Sequence, residues 1–503
     1  MVSSARAQAL SALLWLLLST PFLLLFPSHL LAQSTDPPSL DTDSSTAATP
    51  PVQKTSDSDG FFQRFATAYW DDWTKPSDDP DLPRRGYPAP VSSPPFPFSD
   101  WPYGGSPVIG APDTTGGPLM NAIYSGKQGE GWRDSRISIY GWINGGFNAS
   151  TSDKHHGNFP AAYYLQPNSV QLDQAALYIE RVPDTVQDDH FDWGFRLTQL
   201  YGVDYRFTTA KGYFSQQLLT NNNKYGYDPV MAYVDLYWGQ VAAGMNIRIG
   251  RYISLPDIEA QLAPDNYTYS HSILYTFDAY TQTGINVTTK LDNHWMVQVG
   301  LSAGNDVAPW VGEPNAKPTF NVCAGYTWKT GADNLYVCDN STNSGKYAYN
   351  NLQAYYVTWY HKINSSWHTD TESWYMWEKN VPNVTNPAAA PLLINGANGA
   401  ICDSPSDLTC YAPEWAIVNY LVKEFSTHDY LTIRNEYFND TEGQRTGYKT
   451  QYSEHLIGWG HWIGSTVLIR PELRFEHSYD APAYNAGTKK SQLVFASDVI
   501  FHF

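Results

Sequence analysis

From about Ser135 to Phe503, apolar and polar residues exchange places at every second position in run after run. Strand side chains point to opposite faces with a period of two. Each run therefore reads as a strand with one apolar face. In "STVLIRPELRFEHS", Ser465 to Ser478, Val467, Ile469, Pro471, Leu473 and Phe475 share one parity, while Arg470, Glu472, Arg474 and Glu476 share the other. "YLTIRNEYFND", Tyr430 to Asp440, repeats the design, with Leu431, Ile433 and Tyr437 opposite Arg434 and Glu436. An apolar face backed by charges of both signs needs lipid on one side and a polar interior on the other.

The runs predict about fourteen strands (12–16): 135–148, 170–182, 190–204, 229–239, 241–252, 279–290, 294–305, 350–362, 366–379, 412–426, 428–440, 451–460, 463–478 and 490–503. Short connections, such as "GQ" at 239–240 and "LDNH" at 291–294, alternate with long ones at 149–169, 205–228, 253–278, 306–349, 380–411, 441–450 and 479–489. Bacterial outer-membrane barrels have short periplasmic turns and longer external loops, with an even strand count. The reading is all-β: a transmembrane antiparallel up-and-down β-barrel over 135–503. Pro471 falls mid-strand, where it removes a ladder donor, and a bulge is expected there. Trp238, Trp295, Trp359, Tyr360, Trp374, Tyr375, Trp377, Trp459 and Trp462 cluster near the predicted strand ends. They read as the aromatic girdle of the membrane interface, with a sugar-sliding surface in the lumen as the competing reading for some of them.

Composition narrows the class. Mean hydropathy of -0.41 argues against a helical membrane protein but not against a barrel, whose strands need only every second residue apolar. Aromatics at 15% favour strands. A net charge of -18 with no Lys/Arg run disfavours nucleic acid as a partner. Near the N-terminus Arg6 precedes the apolar run Ala9–Phe26, and Ala32 follows it. This reads as a cleaved signal peptide over 1–32, with an uncleaved anchor helix as the competing reading. The stretch 33–134 is rich in Pro, Gly and Ser and is expected to be largely disordered, either periplasmic or plug-like. Within it, "FFQRFATAYWDDW" (61–73) suits a short amphipathic helix.

Candidate chemistry is sparse. The four cysteines form two local pairs, Cys323 with Cys338 and Cys402 with Cys410, each expected as a disulfide within one external connection. A thiolate metal site would need C-x-x-C spacing, which is missing. The chain has no G-x-S-x-G, H-E-x-x-H or Walker motif. No catalytic residue, metal or cofactor is assigned. His155 and His156 read as a solvated loop pair. Arg434, Glu436, Arg470, Glu472 and Arg474 are the candidate lumen charges, facing pore water or pairing across the wall. At the end of the chain Phe495, Val499, Phe501 and Phe503 share one parity. A terminal Phe closing such a strand resembles the signal read by the barrel-assembly machinery.

Five stretches together resemble the OmpL-like putative β-barrel porin family of bacterial outer membranes. They are "IYGWINGGF" (139–147), "LYGVDYRFTTAKG" (200–212), "IRIGRYISLP" (247–256), "IRNEYFNDTEGQRTG" (433–447) and "IRPELRFEHS" (469–478). The resemblance runs from about Trp132 to Phe503. It departs after Tyr252, where the family usually continues with a Gly-containing loop and a Glu; "ISLPDIEAQLAPDNYTYSHS" lacks that Gly. The resemblance implies passive transport of small hydrophilic solutes across the outer membrane and no catalytic residue. A rim hydrolase with Asp, Glu and His, or an adhesin using the long loops, are the readings of other classes.

Overall fold

In the computed structural model, residues 60–74, 109 and 117–503 are described, apart from 154, 161–162, 254–255, 331, 365 and 427. The expected signal peptide and much of the 33–134 stretch lie outside them. Sixteen antiparallel strands close into a barrel. They are β1 (Ile137–Ser150), β2 (Val170–Arg181), β3 (Phe191–Gly202), β4 (Gly226–Trp238), β5 (Met245–Ile253), β6 (Thr281–Lys290), β7 (Trp295–Asn305) and β8 (Thr319–Thr327). The remainder are β9 (Asp333–Thr342), β10 (Gln353–Lys362), β11 (Trp367–Pro382), β12 (Thr409–Glu424), β13 (Asp429–Asp440), β14 (Thr450–Ile463), β15 (Val467–Ser478) and β16 (Ser491–His502). Each strand pairs with its neighbours in sequence, and β1 closes on β16 from Trp142↔His502 to Ser150↔Val494. Closure pairs every strand edge, which lets a sheet cross lipid.

Two strands more than expected come from 306–349. That stretch is not one external loop but contains the β8–β9 hairpin, with Cys323 directly opposite Cys338. The disulfide joining them lies in the wall and points inward, both residues being buried. The Cys402–Cys410 disulfide instead ties the β11–β12 connection to the first residues of β12, at the long-loop end.

The parity reading holds along β15. Leu473 is 44% exposed on the outer face, whereas Arg474 beside it is fully buried inside. Phe495, Val499 and Phe501 also face outward, and the Phe503 amide bonds back to Gly141 O at 2.9 Å. Pro471 causes no bulge. Gly458↔Glu472 and His461↔Ile469 keep one register, and the ladder to β14 is interrupted between them. Of the expected girdle, Trp295, Trp359 and Trp459 are exposed outside, but Tyr360, Trp374 and Trp462 are buried on the inner face. Their parity, not their nearness to a strand end, decides this.

At the short-turn end, three helices sit beside the β1–β16 seam: α1 (Phe61–Thr74), α2 (Pro118–Tyr124) and α3 (Gly129–Ser135). Tyr69 stacks on Phe501 with ring centroids 5.0 Å apart and donates to His502 O at 2.6 Å. The Asp72 carboxylate accepts from Ser465 N, Ser465 Oγ and Thr466 Oγ1 at 2.6–3.1 Å. Arg64 donates to Ala122 O at 3.0 Å, joining α1 to α2. The described part of the 33–134 stretch is therefore largely helical and docked.

Candidate functional site: an inward loop and a charged wall

The connection from β5 to β6 does not stay at the rim. Its described residues, 256–280, fold into the barrel against the inner faces of β11 to β16. A buried loop carries N–H and C=O groups that its own irregular backbone cannot satisfy. The wall supplies the partners. Carboxylates take the amides: Ser270 N donates to Glu472 at 3.1 Å, Ile273 N to Glu436 at 2.8 Å, and Ile258 N to Glu372 at 2.7 Å. Leu274 N also donates to Glu436. Arginines take the carbonyls: Arg470 donates to Ala263 O and Asn266 O, both at 2.8 Å. Arg434 donates to Ser270 O at 2.7 Å and Arg474 to His271 O at 2.7 Å.

All five candidate lumen charges therefore point inward and meet on one loop. Of the two readings open for them, facing pore water or pairing across the wall, their burial beneath 256–280 favours pairing. They are also bonded to one another's neighbours. Arg434 Nε donates to Glu454 at 3.0 Å, Arg474 pairs with Glu476 at 2.8 Å and Glu454 at 3.3 Å, and Arg470 Nε donates to Asp498 at 3.0 Å. Away from water such charge-assisted bonds contribute about 1.5–3 kcal/mol each.

The loop reaches across to the seam as well. Gln174 on β2 donates to Gln261 O at 2.6 Å. Tyr269 packs over Gly146 on β1, where any Cβ would stand 2.2 Å from the Tyr269 hydroxyl. A glycine is required for that approach. Tyr267 OH bonds His368 Nε2 at 2.7 Å, on β11.

Sequence reasoning missed several inward groups. Arg248 and Asp235 form a two-bond fork at 2.8 Å, and the Arg248 guanidinium lies 3.8 Å over the Tyr233 ring. Arg196 pairs with Glu180. The signal was present: Arg248 sits between outward Ile247 and Ile249, and Asp235 between Val234 and Leu236. Glu259, His271 and Glu372 also belong to the site. Only Glu372 lies on a strand, so no periodicity could place the other two.

The chain belongs to the family described as Putative beta-barrel porin-2, OmpL-like, whose model matches residues 136–503. It is an outer-membrane, porin-like β-barrel. Similar solved structures include an anion-selective porin from Comamonas acidovorans (9% identity, TM-score 0.47, covering 73% of this chain and 99% of that one). Others are the outer-membrane channel DcaP of Acinetobacter baumannii (9%, 0.45, 73% and 97%) and the outer-membrane-expressed OmpT of Vibrio cholerae (10%, 0.41, 73% and 97%). No curated protein matches the chain.

Proposed function

We propose that the barrel passes small hydrophilic solutes by passive diffusion through its interior, which the inward loop narrows. The observation that carries this reading is the docking of 256–280 on Arg434, Glu436, Arg470, Glu472 and Arg474. A loop held so firmly inside a membrane barrel sets the width and the charge of the path. A rim hydrolase or an adhesin has no comparable observation behind it. Residues 1–32 are taken as a cleaved export signal. Phe495, Val499, Phe501 and Phe503 are taken as the signal for the barrel-assembly machinery. The lipid bilayer is the partner of the outer apolar face.

The test is single-channel recording of the refolded chain in planar bilayers, with salts of different ion size and with neutral sugars. Steps of defined conductance, reduced by sugars below a size limit, support the proposal. A folded, inserted barrel that never conducts would overturn it.

A further inference from the structure

Three acids of the site hold no arginine. Asp257 and Asp278 stand near the two ends of the inward loop, and Glu372 stands on β11. They are 4%, 0% and 0% exposed. Their ligand-capable oxygens all lie within 4.8 Å of one another. Both carboxylate oxygens of Asp257, Oδ2 of Asp278 and Oε1 of Glu372 accept no hydrogen bond from any amide, hydroxyl or cationic donor, and the Asp257 and Asp278 carboxyls lie within hydrogen-bonding reach of each other. The remaining oxygens are used: Tyr356 OH and Ala279 N donate to Asp278 Oδ1, and Ile258 N donates to Glu372 Oε2. Among the described residues no lysine or arginine pairs with any of the three. Arg445 spends its guanidinium on Phe277 O and Asn350 Oδ1, and Arg434 on Glu259, Glu454 and Ser270.

Uncompensated carboxylates in a water-poor site are very costly. Two neutralising agents are available, protons or a cation. Buried Glu414 also carries unpartnered oxygens, yet it belongs to no such cluster, and one proton neutralises it. Three convergent carboxylates differ, because one ligand-capable oxygen of each lies within 4.8 Å of the others. Oxygens bound to Ca²⁺ at about 2.3–2.6 Å stand at most about 5 Å apart. The oxygens here lie within that limit. Mg²⁺, at about 2.0–2.1 Å, demands near-ideal octahedral geometry and usually keeps several waters, which a buried set of three carboxylates suits less well.

We propose that Asp257, Asp278 and Glu372 bind one Ca²⁺-sized divalent cation that ties both ends of the inward loop to β11. The wall arginines and glutamates hold the middle of the loop, and the ion holds its stems. This revises the sequence reading, which assigned no metal. It does not rest on what the lumen conducts.

Isothermal titration of CaCl₂ into the full chain, folded in detergent and stripped with chelator, tests the proposal. The native chain is expected to show a saturable site that Asp257→Asn and Glu372→Gln each weaken by more than the roughly 10–100-fold lost when a metal site loses an outer hydrogen bond. Variants shown to be folded by circular dichroism that bind with unchanged affinity would overturn it, leaving protons as the neutralising agent. Should the substitutions prevent folding, the native chain decides alone. Its thermal midpoint should rise with Ca²⁺ and return on chelation, as for any ligand bound only by the folded form. A midpoint indifferent to both treatments overturns the proposal.

Discussion

Arg434→Ala should release the inward loop while leaving the barrel closed. The guanidinium donates to Ser270 O at 2.7 Å, Ser270 Oγ at 3.0 Å, Thr268 Oγ1 at 3.1 Å, Tyr420 OH at 3.1 Å and His271 O at 3.3 Å. It also balances Glu454 at 3.0 Å and Glu259 at 3.5 Å. Removing it leaves Glu454 with Arg474 alone, leaves Glu259 with only hydroxyl and amide donors, and takes a charged donor from two loop carbonyls. Breaking a buried pair by deleting one partner costs about 3–5 kcal/mol. At about 1.4 kcal/mol per decade, that shifts the docked–undocked balance of the loop by roughly 10²–10³-fold or more. The cost falls on the loop, because the β13 backbone ladders to β12 and β14 do not involve the side chain. Single-channel traces should become larger or noisier, and protease should reach 256–280 faster. Heat-modifiable migration should persist. Arg434→Lys should recover only part of the effect, since an ammonium lacks the planar fork. A variant with native conductance, native protease protection and a folded barrel would show that these bonds do not hold the loop.

Gly146→Ala should loosen the same loop more mildly by pushing Tyr269 off β1, and Tyr269→Phe should relieve it in part by removing the hydroxyl that the new Cβ meets; protease protection of 256–280 reads both. Leu473→Arg, on the lipid parity, should cost about 2–4 kcal/mol near the bilayer midplane and lower the yield of heat-modifiable barrel. Reducing Cys323–Cys338, which closes a span of 15 residues, should lower stability toward denaturant by about 3 kcal/mol without dissolving the β8–β9 pairing.

Much of the wall was legible because strand periodicity is local. Parity alone put Arg470 inside and Leu473 outside. It would also have put Trp374 inside, with Glu372 and Met376, had the tryptophan been read by parity and not by its place near a strand end. The β8–β9 hairpin went unseen because Asn, Asp, Gly and Cys dilute its alternation, and two cysteines suggested a loop staple. Its signal lay in the cysteines themselves: residues facing each other across a hairpin sit equally far from its turn, as Cys323 and Cys338 do. The loop docking was not legible. Its bonds join residues far apart in sequence, such as Ile258 to Glu372, 114 positions, and Ala263 to Arg470, 207 positions. One hint was available, namely charges of both signs on one inner face. A backbone offers N–H and C=O groups in nearly equal number, and only a mixed wall can satisfy both.

That mixed wall changes where ion selectivity should reside. If Arg470 and Arg474 lined pore water, removing either would shift selectivity toward cations. In the structure their side chains are 2% and 0% exposed, and their charge is spent on Asp498, Glu476, Glu454 and the loop carbonyls. Arg196, on β3, has a side chain 17% exposed while its partner Glu180 is only 1% exposed. A passing ion responds most to charge that it can approach. Arg196→Gln should therefore move the reversal potential under a salt gradient toward cation preference, by losing a reachable positive charge. Arg470→Gln should change the selectivity less and act mainly through the loop, as added noise and faster proteolysis. The contrast is the measurement. Equal shifts from both substitutions, with the loop still protected in each, would mean that pore water reaches Arg470 and that the loop does not cover it.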